Sequence, residues 1–179
     1  MILNKKFTEH LVKIATNKAH RRNDSICQYK AGDTIYVTDG ARVIKYAGNI
    51  IPDERIEVDE GVWVNRLKKF YDNSVFSVKT EYVGHLLPTK EELRQGIKEI
   101  AGKKYSTKVY WSDGIISINA RYLLEVMEVL NCEMAYIDKD NPYQAPYAFF
   151  YNDDTDTTIV ELICPVVNPT RNIGFWKVQ

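Results

Sequence analysis

Two stretches of the chain carry apolar residues at helical spacing, and each leads into a series of short strands. From Phe7 to about Ala19, the residues Phe7, Leu11, Val12, Ile14, Ala15 and Ala19 recur at the three- and four-residue steps of one helix face. Asn4 or Thr8 supplies its cap, and Arg21-Arg22-Asn23-Asp24 ends it. The stretch SICQYKAGDTIYVTDGARVIKYAG then predicts three strands, at about Ser25–Lys30, Thr34–Thr38 and Arg42–Ala47. Turns fall at Ala31-Gly32-Asp33 and Asp39-Gly40, since Gly and Asp tolerate positive φ.

The same order returns in ISINARYLLEVMEVLNCEMAYI. Asn119 is the N-cap of a helix running from Arg121 to Asn131. Its polar residues Arg121, Glu125 and Glu128 form one narrow exposed stripe, and apolar residues cover about two-thirds of the circumference. A face that broad needs a sheet beneath it and neighbours on both flanks. Strands follow at Glu133–Asp138, Tyr147–Tyr151 and Thr157–Cys164, with turns in DKDNPYQAP and NDDTD. The chain therefore reads as one unit used twice, a helix and then three strands. Extended lead-ins precede the units at Ile2–Asn4 and Ile115–Ile118. Neither unit can bury its helix alone, so the two are expected to share one sheet.

The expected fold class is α+β, with helices packed on an antiparallel sheet. Residues 1–168 form one domain: a first repeat at 1–48, a middle segment at 49–113 and a second repeat at 114–168. In the middle segment, DERIEVDEG is acidic, and VWVNRLKKFYDN is a short helix or irregular. SVFSVKTEYV alternates Phe76, Val78, Thr80 and Tyr82 with polar residues, as a half-buried strand does. PTKEELRQGIKEIAGKK carries Glu91-Glu92 in its first turn and predicts a surface helix. STKVYWSDGIISI reads as a hairpin around Ser112-Asp113-Gly114, and the tail 169–179 as a surface segment.

Composition narrows the possibilities. At 179 residues and 45% hydrophobic content the chain can bury a core. Its 24 basic and 24 acidic residues cancel, so total charge decides nothing about nucleic acid. No apolar run approaches a membrane span, and Lys5 and Lys6 interrupt any leader, so a cytoplasmic chain is expected. Cys27, Cys132 and Cys164 are widely spaced and read as buried, unreactive thiols. His10, His20 and His85 are scattered and form no zinc pattern, and NDDTD lacks the calcium-loop spacing. Phosphate-binding and nucleophile-elbow motifs are missing, so neither an enzyme nor a cofactor is implied.

The second unit, ISINARYLLEVMEVLNCE and a strand series closing in TTIVELICPVV, resembles a domain half of the bacterial DNA polymerase processivity clamp (the β sliding clamp). TIYVTDGARVIKY resembles the strand–Thr-Asp-Gly–Arg–strand element of the same family. The resemblance implies a clamp-like domain without enzymatic activity, acting in DNA replication or repair. It also implies duplex DNA, a polymerase or other DNA-processing protein, and further copies of the chain as partners. Clamp rings are built from more such domains than this chain holds. Clamps meet DNA through basic helices, and here Lys6, His10, Lys13, Asn17 and His20 form one stripe, extended by Arg21 and Arg22. Clamps also hold partner peptides in an apolar pocket. The matching positions are Thr38, Gly40, Ala41, Arg42 and Val43, with Pro165, Val166 and Val167.

Each of these has a plainer reading. The basic stripe is an ordinary solvated face, and Thr38-Asp39-Gly40 is simply a tight turn. Two alternative functions stand beside the clamp: a protein-interaction adaptor without DNA binding, favoured by the acidic second helix, and a small-ligand protein. The latter would be walled by Trp63, Tyr71 and Trp111.

Overall fold

The computed structural model of this protein describes residues 5–17, 28–53, 56, 58–59, 64–80, 82–99, 109–112, 116–138, 140–141, 144–150 and 160–166. The first part of the chain supplies α1 (Lys5–Thr16), β1 (Gln28–Ala31), β2 (Thr34–Thr38) and β3 (Arg42–Ala47). The middle supplies β4 (Val58–Asp59), α2 (Val64–Thr80), β5 (Tyr82–Leu86), α3 (Lys90–Glu99) and β6 (Val109–Ser112). The last part supplies β7 (Ile116–Asn119), α4 (Ala120–Leu130), β8 (Met134–Asp138), β9 (Tyr147–Phe150) and β10 (Val160–Ile163). The fold is α+β.

Eight strands form one sheet in the order β4-β1-β2-β3-β10-β9-β8-β5. Its pairs are antiparallel except β1–β4, which is parallel. The two predicted strand trios thus lie beside each other, joined where Val43 pairs with Leu162 and Ile44 with Glu161. The lead-in strand β7 is not in this sheet and pairs with β6 alone. Ser117 ties that hairpin to the rest: its N–H donates to the Tyr147 hydroxyl at 2.9 Å. Its Oγ donates to the Val166 carbonyl at 3.0 Å, and its own carbonyl accepts from the Val166 N–H at 2.8 Å.

Strand side chains alternate between two faces, and both faces are covered. Ile35, Val37, Ile44, Phe149 and Ile163 point into a core that α1 and α4 close. Tyr36, Val43, Ala148, Val160 and Leu162 point the other way, into a second core with Leu67, Tyr71 and Val75 of α2. All four residues of β10 are buried as a result.

α1 buries Phe7, Leu11, Ile14 and Ala15, as its spacing requires. α4 starts where Asn119 Oδ1 accepts the Arg121 N–H at 3.0 Å. It stops at Asn131, which is left-handed at φ 49° and leaves the last carbonyls room to be capped. Leu123, Val126 and Leu130 of α4 are fully buried. Each contributes about 1.5–3 kcal/mol by burial, so truncating Leu123 to Ala is the single change that most directly loosens this helix. α3 is the expected surface helix. Thr89 and Glu92 cap it reciprocally, with the Thr89 N–H donating to Glu92 Oε2 at 2.7 Å and the Glu92 N–H to Thr89 Oγ1 at 3.2 Å. Arg94 then joins α3 to α4 through Glu128 at 2.6 Å.

Two expectations are corrected, and one strand falls where none was predicted. SVFSVKTEYV is not a strand: α2 continues through Thr80, and β5 begins at Tyr82. Leu67, Tyr71 and Val75 lie four residues apart and offer one stripe to the sheet, and that contact outweighs the short two-residue alternation at Phe76, Val78 and Thr80. The acidic stretch contains β4, which extends the sheet beyond β1. Glu125 is not on an exposed stripe, because its side chain is only 17% accessible and turns toward α1 and β3. The turn NDDTD, the end of the first helix beyond Asn17, and the tail 169–179 lie outside the described residues.

Candidate functional site

The β2–β3 turn is built by its own side chains. Thr38 Oγ1 donates to the Arg42 carbonyl at 2.7 Å, and Gly40 takes φ +89°. Asp39 Oδ1 accepts the N–H groups of Ala41 and Arg42, each at 3.0 Å, in an Asx turn. The Ala41 carbonyl accepts the Cys164 N–H at 2.8 Å, which fixes the turn against the end of β10.

An apolar groove of about 330 Å³ opens beside this turn. Thr38, Gly40, Ala41, Arg42 and Val43 form one wall. Leu67 and Phe70 of α2 form another, and Leu162 and Cys164 complete the lining. Phe70, at the rim, is 42% exposed. Pro165 and Val166 are partly buried but do not line the groove, and Val167 lies outside the described residues. Cys164 is exposed rather than buried. The apolar surroundings and then the Asp39 carboxylate push its thiol pKa up. Cys132 is buried as expected, and desolvation pushes it up to about 12.

Behind the groove, on the helix side of the sheet, sits a cluster of buried charge. Arg42 is 2% exposed and Asp39 0%. The Arg42 Nε donates to Asp39 Oδ2 at 2.9 Å and its Nη1 to Glu125 Oε2 at 2.7 Å, while the guanidinium lies 4.0 Å from the centroid of the Tyr122 ring. Lys13 pairs with the other oxygen of Glu125. Asn17 bridges Asp39 at 2.8 Å and the Tyr122 hydroxyl at 2.9 Å. Burial alone would lower the Arg42 pKa, but Glu161, Asp39 and Glu125 outweigh it and hold the guanidinium above its ordinary value. His10 Nε2 lies 2.6 Å from Glu161 Oε2, and both residues are buried.

This arrangement redistributes the predicted basic stripe. Lys6 and Lys13 are exposed, whereas His10 is 4% exposed and Asn17 is half-buried, both committed to partners inside the fold. A stripe drawn at three- and four-residue steps passes along the edge of the helix face, so some of its members turn inward. His20, Arg21 and Arg22 lie outside the described residues. The cleft that α1 shares with α3 and α4, about 540 Å³, mixes Lys6, Lys13, Lys90 and Arg94 with Glu9, Glu125 and Glu128. It is not a uniformly positive surface.

Sequence reasoning missed Leu67, Phe70, Leu162 and Cys164. Leu162 and Cys164 precede Pro165 at strand spacing and carried a usable signal; Leu67 and Phe70 carried none, because nothing local says which wall α2 completes. Among the aromatic residues proposed to wall a small-ligand site, Tyr71 is 3% exposed, and its hydroxyl donates to the Val160 carbonyl at 2.6 Å, a core contact. Trp63 lies outside the described residues, and Trp111 lies in β6. Among the described residues no His, Cys, Asp and Glu cluster could hold a metal, and no helix is long and apolar enough to cross a membrane. Comparisons with protein-family models, with curated proteins and with solved structures give no match.

Proposed function

We propose that this chain is a non-enzymatic binding protein of clamp-like architecture. Its groove between the β2–β3 turn and α2 holds an extended apolar segment of a DNA-processing partner. The observation that carries this reading is the groove itself: Thr38, Gly40, Ala41, Arg42 and Val43, five of the eight positions matched to the clamp family's peptide pocket, line a cavity with a part-exposed phenylalanine on its rim. The order of the sheet, with two strand trios meeting at β3–β10 and α1 and α4 on one face, supports the clamp-like assignment. The geometry favours holding a peptide over chemistry, since the buried carboxylates are engaged by Arg42, Lys13 and His10.

The test is selection of peptides from a random display library on the purified chain. Apolar or aromatic peptides are expected, with binding lost on Leu67→Glu and kept on Lys6→Glu. Failure to select any peptide, or binding indifferent to Leu67→Glu, overturns the reading. A second reading, contact with duplex DNA along α1, draws support from exposed Lys5, Lys6 and Lys13. It predicts salt-sensitive DNA binding that Lys6→Glu weakens, and absence of binding at low salt refutes it.

A further inference from the structure

We infer that two copies of this chain associate through β5, antiparallel and edge to edge, about a twofold axis that passes between their Gly84 residues. β9 and β8 separate β5 from β10 at the groove, and the inference stands independently of the groove reading.

The two ends of the sheet differ. β4 ends it with two residues paired in parallel, whereas β5 ends it with five paired antiparallel. No strand lies beyond β5 among the described residues. An open edge is ordinarily shielded by charge, proline or a bulge. The β5 sequence YVGHL holds no Lys, Arg, Asp, Glu or Pro, and its register against β8 runs unbroken from Tyr82–Asp138 to Leu86–Met134. It shows apolar surface instead: Leu86 is 72% exposed, and Val83, Gly84 and the neighbouring Met134 are exposed beside it.

The backbone of this edge is turned toward a partner. The Leu87 N–H donates to the Glu133 carbonyl at 2.9 Å, one step past the Leu86–Met134 pair. Bonded pairs alternate along an antiparallel ladder, so Val83 and His85 also bond toward β8, and Gly84 and Leu86 turn their N–H and carbonyl groups outward. Setting Gly84 opposite the partner's Gly84 brings Leu86 opposite the partner's Tyr82 and Val83 opposite the partner's His85. No like charges meet in that register, and the exposed Leu86 and Val83 each gain a cross-strand neighbour. Gly84 suits the axis, because a Cβ there would overlap Met134 Cε and the methionine tip already covers that position. Contact of β4 with β5 would instead repeat from copy to copy into a ring or filament, but β4 is too short to complement β5. Five residues a copy form a contact well below the ~800 Å² per partner of a standard interface, so a dissociation constant on the order of 100 μM is expected.

The test is sedimentation equilibrium of the full chain under reducing conditions, from about 10 μM to about 1 mM, a range centred on that constant. The average mass is expected to rise from monomer toward dimer. Amide hydrogen exchange at Gly84 and Leu86, read by NMR over the same range, is expected to slow about fourfold as the free edge is used up. Leu86→Lys changes a side chain that is already exposed, so it keeps the fold by circular dichroism and abolishes the dimer. Val83→Lys replaces it, with the same criterion, if the fold is disturbed. A chain that stays monomeric at the highest concentration overturns the inference, as does a mass that grows past the dimer. Self-association that leaves the Gly84 and Leu86 amides unchanged, or that survives the folded lysine variant, overturns it as well.

Discussion

Replacing Arg42 with methionine tests the central electrostatic element of the fold. Methionine fills much of the volume, so the change removes charge more than packing. Asp39 keeps its bonds from Asn17 and from the Ala41 N–H, and Glu125 keeps Lys13, but their shared cation is gone from a site where Arg42 and Asp39 are almost fully buried. Removing one partner of a buried ion pair costs about 3–5 kcal/mol. The remaining hydrogen bonds place the expected loss toward the lower end, while the lost stacking on Tyr122 adds to it. For a chain of this length that is a fall in Tm of roughly 6–12 °C. The assay is urea denaturation followed by circular dichroism, with the midpoint lowered and the slope unchanged.

The deficit also depends on pH. Desolvation raises the Glu125 pKa, but the Lys13 hydrogen bond and the Arg42 charge outweigh it, so the folded-state value lies below the ordinary one. A carboxylate depressed in this way stabilises the fold above its unfolded pKa, about 4.3, and loses that contribution as pH falls through the folded value. Without Arg42, only Lys13 opposes the effect of burial, so the Glu125 pKa is depressed less. The gap between wild type and variant is therefore steady near neutral pH and narrows as pH falls below about 4.3. In a double-mutant cycle, Glu125→Gln costs less in the variant than in the wild type. A deficit below about 1 kcal/mol, or one that does not change with pH, would refute the reasoning that these groups act as one buried cluster.

Other perturbations probe separate elements. His10→Ala leaves Glu161 buried with neither carboxylate oxygen partnered among the described residues, and a loss of about 3–5 kcal/mol in urea is expected, partly restored by His10→Gln. Tyr71→Phe removes only the bond to the Val160 carbonyl and should cost about 1–1.5 kcal/mol at constant slope; no effect would mean that α2 does not rest on that face of the sheet. Asn119→Ala deletes the α4 cap and should cost about 1 kcal/mol, with Asn119→Ser close to wild type by thermal melting.

Much of the local structure was legible from the chain alone. The apolar spacing located α1 and α4, Asn119 announced the start of α4, and Asp39-Gly40 marked the β2–β3 turn, because each signal depends on residues a few positions apart. Of the residues that line the groove, Thr38 and Gly40 to Val43 had been singled out in the sequence, whereas Leu67 and Phe70 had not.

Tertiary structure decided the rest. The helical state of residues 74–80 was settled by an apolar stripe meeting a sheet face whose strands come from both ends of the chain. His10 and Glu161, separated by 151 positions, explain each other only as a pair; read singly, one is a polar residue on a helix and the other a carboxylate in an apolar strand. Helix and turn preferences are local free energies, written in neighbouring residues. Burial of a charge and completion of a cavity depend on which distant surfaces meet, and that is fixed only when the sheet is covered on both sides.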